Sequence, residues 1–184
     1  GYNAELGYFT QALDGVNPDA SSLLLPSLGV VDARDPRFVS TVDAYERLLV
    51  ENGLMLRYRN EDDFGATTSA LTICSFWWAE ALALMGRLDE AVAVFQRLIG
   101  FANPVGLFSE DVDPHSGRLL GNFPQAYTHV GLIHAAMTVG ELLADDDASS
   151  LNLVLLSGGD GIGNVVDRPR IQKPGLALAG FLEH

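Results

Sequence analysis

The stretch "ALTICSFWWAEALALMGRLDEAVAVFQRLIGFAN", residues 70–103, decides the fold. Its first half is apolar on nearly every side yet far too short to cross a bilayer, so it reads as a helix buried in a protein interior. Its second half places Leu88, Val92, Phe95, Leu98 and Ile99 on one helical stripe, with Asp89 near the start. Only Gly86 and Arg87 separate the two, a link short enough for a helical hairpin. Upstream, "DPRFVSTVDAYERLLVENG" (35–53) predicts another helix, with Thr41 as its cap, Val42, Tyr45, Leu48 and Leu49 on one face, and Gly53 as its end. Asp19 is placed to cap a short apolar helix over 20–29 that stops near Pro26 and Gly29, and Tyr8–Gln11 reads as a short strand. "LMLRYRNEDDFGATTS" (54–69) reads as extended or loop, and "PQAYTHVGLIHAAMTVGELLA" (124–144) predicts a long helix. Long loops alternating with short ones are the rhythm of stacked helical hairpins, in an α-solenoid or an α/α barrel. No self-similarity recurs at a fixed period, which counts against the solenoid and against a tetratricopeptide-like binding module, although "GRLDEAVAVFQRLIGFANP" looks like one such helix.

Composition narrows the function. A 184-residue chain that is 48% hydrophobic suits one domain or slightly more, with a real core. A formal net charge of −13 argues against nucleic acid and against an anionic membrane surface, and fits a neutral ligand such as a sugar. The single cysteine, Cys74, forms no disulfide framework and reads as a core thiol. No basic segment followed by an apolar one opens the chain, so a cytoplasmic location is expected. The start at Gly1 leads us to expect an upstream segment. After residue 143 the composition changes. The polar run "ADDDASS" (144–150) reads as a linker, and "LNLVLLSGGDGIGNVVDRPRIQKPG" (151–175) is β-like and glycine-rich. Its Gly159, Gly161 and Gly163 give GxGxG rather than the GxGxxG of a dinucleotide loop.

The chemistry is sought in "GLFSEDVDPHSGRLLGNFPQAYTHVGLI" (106–133), where Glu110, Asp111 and Asp113 lie in a long loop between two apolar helices. Most such carboxylates are simply solvated. Here Phe101, Phe108, Phe123 and Tyr127 surround them, with Trp77 and Trp78 on the buried helix, and aromatics beside carboxylates suit sugar faces. Asp113 before Pro114 reads as a solvated turn. His115, His129 and His134 share no ligand pattern with the acids, so no metal site is assigned.

The segment 106–136 resembles the C-terminal catalytic segment of glycoside hydrolase family 15, the glucoamylases, glucodextranases and prokaryotic trehalases. Three further stretches fit in order: 1–29, 54–65 and 74–99. The resemblance covers about residues 1–143. It implies a mainly α fold, part of an (α/α)6 barrel comprising about three helical hairpins. It also implies an inverting hydrolase of terminal α-linked glucose that takes oligosaccharides or disaccharides and needs no cofactor. Glu110 matches the general base. Arg57 and Tyr58 match an Arg-Tyr pair near the substrate, with Asp62 or Asp63 as the acid beside it, and Trp77 completes the substrate-binding candidates. A surface ion pair is an equal reading of Arg57. Close relatives are expected to carry a glutamate and an aromatic where this chain has Thr68 and Leu71. The family's general acid lies well over a hundred residues before the base, and only 109 residues precede Glu110, so the acid is expected to be absent from this chain. Open apolar helix faces then offer a route to self-association and imply little activity alone. Residues 168–184, within a match over about 148–184, resemble the start of the N-terminal domain of HPr kinase/phosphorylase. That gives an expected division into 1–143, a linker at 144–150 and a short α/β-like fragment at 151–184, with a regulatory fragment of such a kinase as the rival reading. No GxxxxGK[ST] loop is present, so phosphoryl transfer is not implied.

Overall fold

The computed structural model describes residues 1–61, 65 and 67–157. Packing divides the chain into two units, Gly1–Leu143 and Ala144–His184. The first opens with a hairpin of β1 (Tyr2–Asn3) and β2 (Tyr8–Phe9). A 3-10 helix, Ala20–Leu24, follows, and Asp19 caps it as predicted by accepting the Ser21 N–H at 2.8 Å.

The next helix, α1, spans Pro36–Leu49 and corrects the sequence reading at both ends. Its cap is Asp35, not Thr41. Pro36 presets the backbone for the first helical position, and the Asp35 carboxylate accepts the Arg37 N–H at 2.8 Å. Thr41 is buried mid-helix, where its hydroxyl donates to the Arg37 carbonyl at 2.7 Å and accepts the Phe9 N–H at 3.0 Å. Nor does Gly53 end the helix. The chain leaves it at Leu49 into β3 (Val50–Glu51), which pairs with β4 (Leu54–Met55). Asn52 and Gly53, at φ +48° and +78°, supply the left-handed pair that a two-residue hairpin turn needs.

β5 (Ala70–Leu71) runs directly into α2 (Thr72–Leu84), whose residues from Thr72 to Ala83 are all buried. That is why its sequence is apolar all round. α3 (Leu88–Ile99) buries only Ala91, Phe95 and Leu98, matching its one-sided pattern. Between them Gly86 sits at φ +85°, and the Gly86 and Arg87 N–H groups bond the Ala83 and Leu82 carbonyls, both at 2.9 Å. Beyond α3 come β6 (Asp111–Val112), β7 (Leu119–Leu120) and α4 (Ala126–Ser157). β6 pairs antiparallel with β5 on one side and β7 on the other. This small sheet was not legible in the sequence, since two-residue strands carry no periodicity.

α2 is the centre of the packing. Phe76 meets the rings of Phe95 and Phe108 edge-on, at 6.0 and 5.6 Å between centroids. Arg87 reaches Asp43 and Glu46 on α1 and Glu90 on α3, while the Trp78 indole N–H donates to Glu46 at 3.0 Å. One network thereby ties three helices. α4 approaches α2 closely at Gly131, where an added Cβ would stand 2.6 Å from Ile73 Cγ1. Elsewhere along α4, Tyr127, Val130, Ile133 and Met137 are exposed. The unit is thus mainly helical, as the sequence predicts.

Two outcomes are expected. Gly131→Ala should destabilise the fold by about 1–3 kcal/mol in urea titration, because Ile73 must give way, and Ile73→Ala should cost less in that background than alone. The hydrogen bonds from Arg37 lower the Asp35 carboxyl to about 2. A depressed acid contributes stability that is fully present above its ordinary value near 3.8 and disappears as pH falls through about 2. Asp35→Asn should therefore flatten the melting temperature between those pH values.

Candidate active site

The segment carrying Glu110 is held from both sides. On one edge, the Gln125 N–H donates to the Phe108 carbonyl at 3.0 Å, and the Thr128 hydroxyl donates to the Ser109 carbonyl at 3.1 Å. The Phe108 N–H donates to His129 Nε2 at 3.3 Å, while His129 Nδ1 lies 2.7 Å from the Gln125 carbonyl. Together these bonds require the tautomer with its proton on Nδ1. On the other edge, the first N–H of α2, from Thr72, donates to the Glu110 carbonyl at 2.8 Å. The Glu110 N–H donates to the Asn122 carbonyl at 2.9 Å. A half-buried carboxylate thus stands on a main chain whose position is fixed by α2, α4 and the turn between β7 and α4.

The side chain is fixed as well. Glu110 Oε2 accepts the Asn122 backbone N–H at 2.9 Å and its side-chain Nδ2 at 2.8 Å. Its neighbours have other duties. Asp111 pairs in register with Leu71 and Leu120, and its Oδ2 accepts the Ser69 hydroxyl at 2.6 Å. Burial raises its pKa, against the lowering effect of that hydrogen bond, and the Glu110 charge raises it further. Asp113 accepts the N–H groups of His115 and Ser116, which close the turn and lower its pKa.

Arg57 follows β4, which is anchored to α2 by the Met55 N–H donating to Ser75 Oγ at 2.9 Å. Its guanidinium lies 3.5 Å from the buried carboxylate of Asp19 and 5.3 Å from the centre of the Tyr58 ring. The sequence reading gave Asp19 only a capping role, and nothing in the spacing of Asp19 and Arg57 showed that they meet. Cys74, the third residue of α2, is fully buried, and that burial raises its pKa. The first turn of α2 thus bonds both β4, which leads to Arg57, and Glu110 at the edge of the acidic strand. Asp62 and Asp63 lie outside the described residues.

Trp77 is buried on α2. It lines a cleft of about 940 Å³ between α2, α4 and the segment after the 3-10 helix, and Glu110 does not line it. The Trp77 ring meets Tyr127 edge-on at 6.2 Å. Deeper in the cleft the buried carboxylate of Glu80 accepts the Ser27 and Thr138 hydroxyls, at 3.1 and 3.3 Å.

Residues 1–137 match the model of glycosyl hydrolases family 15. The chain belongs to that family. It is 42% identical over 147 residues to the trehalase of Mycobacterium tuberculosis, covering 78% of this chain and 21% of that protein. To the trehalase of Thermoplasma acidophilum it is 39% identical over 142 residues, covering 77% and 24%. The chain thus spans about a quarter or less of the length of these curated relatives. A solved glycosidase superposes with a TM-score of 0.61 at 20% identity, covering 73% of this chain and 39% of that one, and a glycosidase in complex with glucose gives 0.60. The helical unit is therefore part of a glycosidase helical barrel. A stretch of 42 residues, 23% of the chain, is 57% identical to 13% of the HPr kinase/phosphorylase of Geobacter sulfurreducens. Residues 158–184, which carry most of the expected tail, lie outside the described residues. Among the described residues no helix is long and apolar enough to cross a membrane.

Because burial raises the Asp111 pKa, its ionised form costs folding stability at neutral pH, and that cost fades as pH falls and the carboxyl protonates. Asp111→Asn, which keeps an acceptor for Ser69, should raise the melting temperature at pH 7 and lose that advantage in acid.

Proposed function

We propose that this family 15 chain carries the general-base part of an inverting hydrolase of α-linked glucose, with trehalose as the substrate. The observation that carries the reading is the Glu110 carboxylate, held by main-chain bonds on both edges and by Asn122 at its side chain. Trehalose enters because the curated relatives at 39–42% identity carry the name trehalase.

In this reaction Glu110 takes a proton from a water. The water oxygen bonds to the anomeric carbon from the face opposite the leaving group. The glycosidic C–O bond breaks, and the leaving oxygen takes its proton from a carboxylic acid that another part of the enzyme supplies. The base and acid carboxyls of an inverting enzyme stand about 6.5–9.5 Å apart, which leaves room for the water. Arg57, positioned by Asp19 and Tyr58, is assigned to donate to sugar hydroxyls, together with Asp62. Trp77 is assigned to a sugar face farther along α2. The exposed stripe on α4 is taken as the surface that further barrel helices cover, and as a route to self-association when they are absent. The division at about residue 143, a tail related to HPr kinase/phosphorylase and a cytoplasmic location complete the proposal.

The test joins this chain to the preceding part of the Mycobacterium tuberculosis trehalase and assays trehalose. Glu110→Gln should lower kcat by about 10²-fold or more. Proton NMR of the nascent products should show β-glucose from the attacked ring and an equal amount of α-glucose from the leaving ring. Release of α-glucose alone, or full turnover by the glutamine variant, would remove Glu110 from the base role.

A further inference from the structure

The base reading leaves open which oxygen of Glu110 does the work, and the geometry around it answers. Both donors of Asn122, its backbone N–H at 2.9 Å and its Nδ2 at 2.8 Å, reach the same atom, Oε2. Among the described residues Oε1 accepts no hydrogen bond. The carbonyl of Asn122 accepts the Glu110 N–H at 2.9 Å, so one residue fixes the base at its main chain and at its carboxylate. Gly121 closes the arrangement. It sits at φ +70°, and a Cβ there would stand 2.8 Å from Glu110 Oε2, 3.0 Å from its Cβ and 3.2 Å from its Cγ. The side chain of Glu110 therefore lies along a bare stretch of backbone that only glycine leaves open.

We propose that Asn122 is the positioning residue of the Glu110 base, occupying Oε2 with two donors so that Oε1 is the oxygen that receives the proton from water. Two donors on one oxygen remove the rotation that would exchange the two oxygens, and a reacting group held to one geometry is worth far more than one sampling several. Gly121 makes that hold possible. The inference rests on the general-base reading of Glu110, and its test separates the two.

The hold is read on the 184-residue chain itself. In the 15N-labelled protein, Glu110→Gln should move the Asn122 backbone amide and its bonded side-chain proton upfield together, because the charged acceptor is gone. Asp111→Asn should leave both in place. Asn122 resonances indifferent to Glu110→Gln would overturn the hold whether or not Glu110 is the base. The consequence is read in the joined enzyme described above. Asn122→Ala should lower kcat by about 10²-fold with KM within about twofold, since the group acts on the base and not on the sugar. Asn122→Ser, with a short donor, should recover part of that loss. Gly121→Ala should reproduce the loss while leaving both donors intact. If Asn122→Ala keeps kcat while Glu110→Gln abolishes it, the positioning role falls and the base stands. If neither variant lowers kcat, the base reading itself fails.

Discussion

The site depends on one main-chain junction. The first N–H of α2 and the carbonyl of Asn122 grip the two backbone polar groups of Glu110. Helix starts leave N–H groups without partners inside the helix, and here one of them is satisfied by the residue proposed to do the chemistry. Satisfying the helix and placing the carboxylate are therefore the same bond. α2 can start at Thr72 with no side-chain cap because the strand beside it supplies the acceptor.

Everything else arranges itself around that helix. Being buried along nearly its whole length, α2 has neighbours on each side: α3, the 3-10 segment, β4, and α4 at Gly131. Arg87 and its three carboxylates bind the far end of the packing, where α1 and α3 meet. The end that remains bonds β4, which leads to the Arg57–Asp19 pair, and Glu110, which precedes Asp111. A family match over residues 1–137 is what such an arrangement of motifs, spread over the whole helical unit, should give.

The helices were legible because their physics is periodic. The all-round apolarity of 72–83 and the single stripe of 88–99 each translate directly into burial. The ends of α1 were harder. Thr41 offers a hydroxyl in a capping residue type, but Asp35 followed by Pro36 satisfies more of the helix start, and the Asn-Gly pair at 52–53 belongs to a hairpin turn instead. Glu110 stood out through its motif. The partners of the site did not, since Asn122, Gly121, Ser69 and Asp19 act through tertiary hydrogen bonds and contacts that no local spacing encodes. Trp77, read as a substrate candidate on the buried helix, lines a cleft whose lining does not include Glu110.

The strands that seat Glu110 are two residues long and join parts of the chain about forty residues apart, pairing Ala70 with Val112 and Leu71 with Asp111. The α2–α3 hairpin, by contrast, closes over three residues and buries its contacts locally. Local helical contacts form quickly, whereas pairings across long loops come later and open first. Warming this protein should therefore loosen the seat of the carboxylate while the helices are still intact. The lifetime of that seat is then set by the opening of a four-residue ladder, not by the melting of the core.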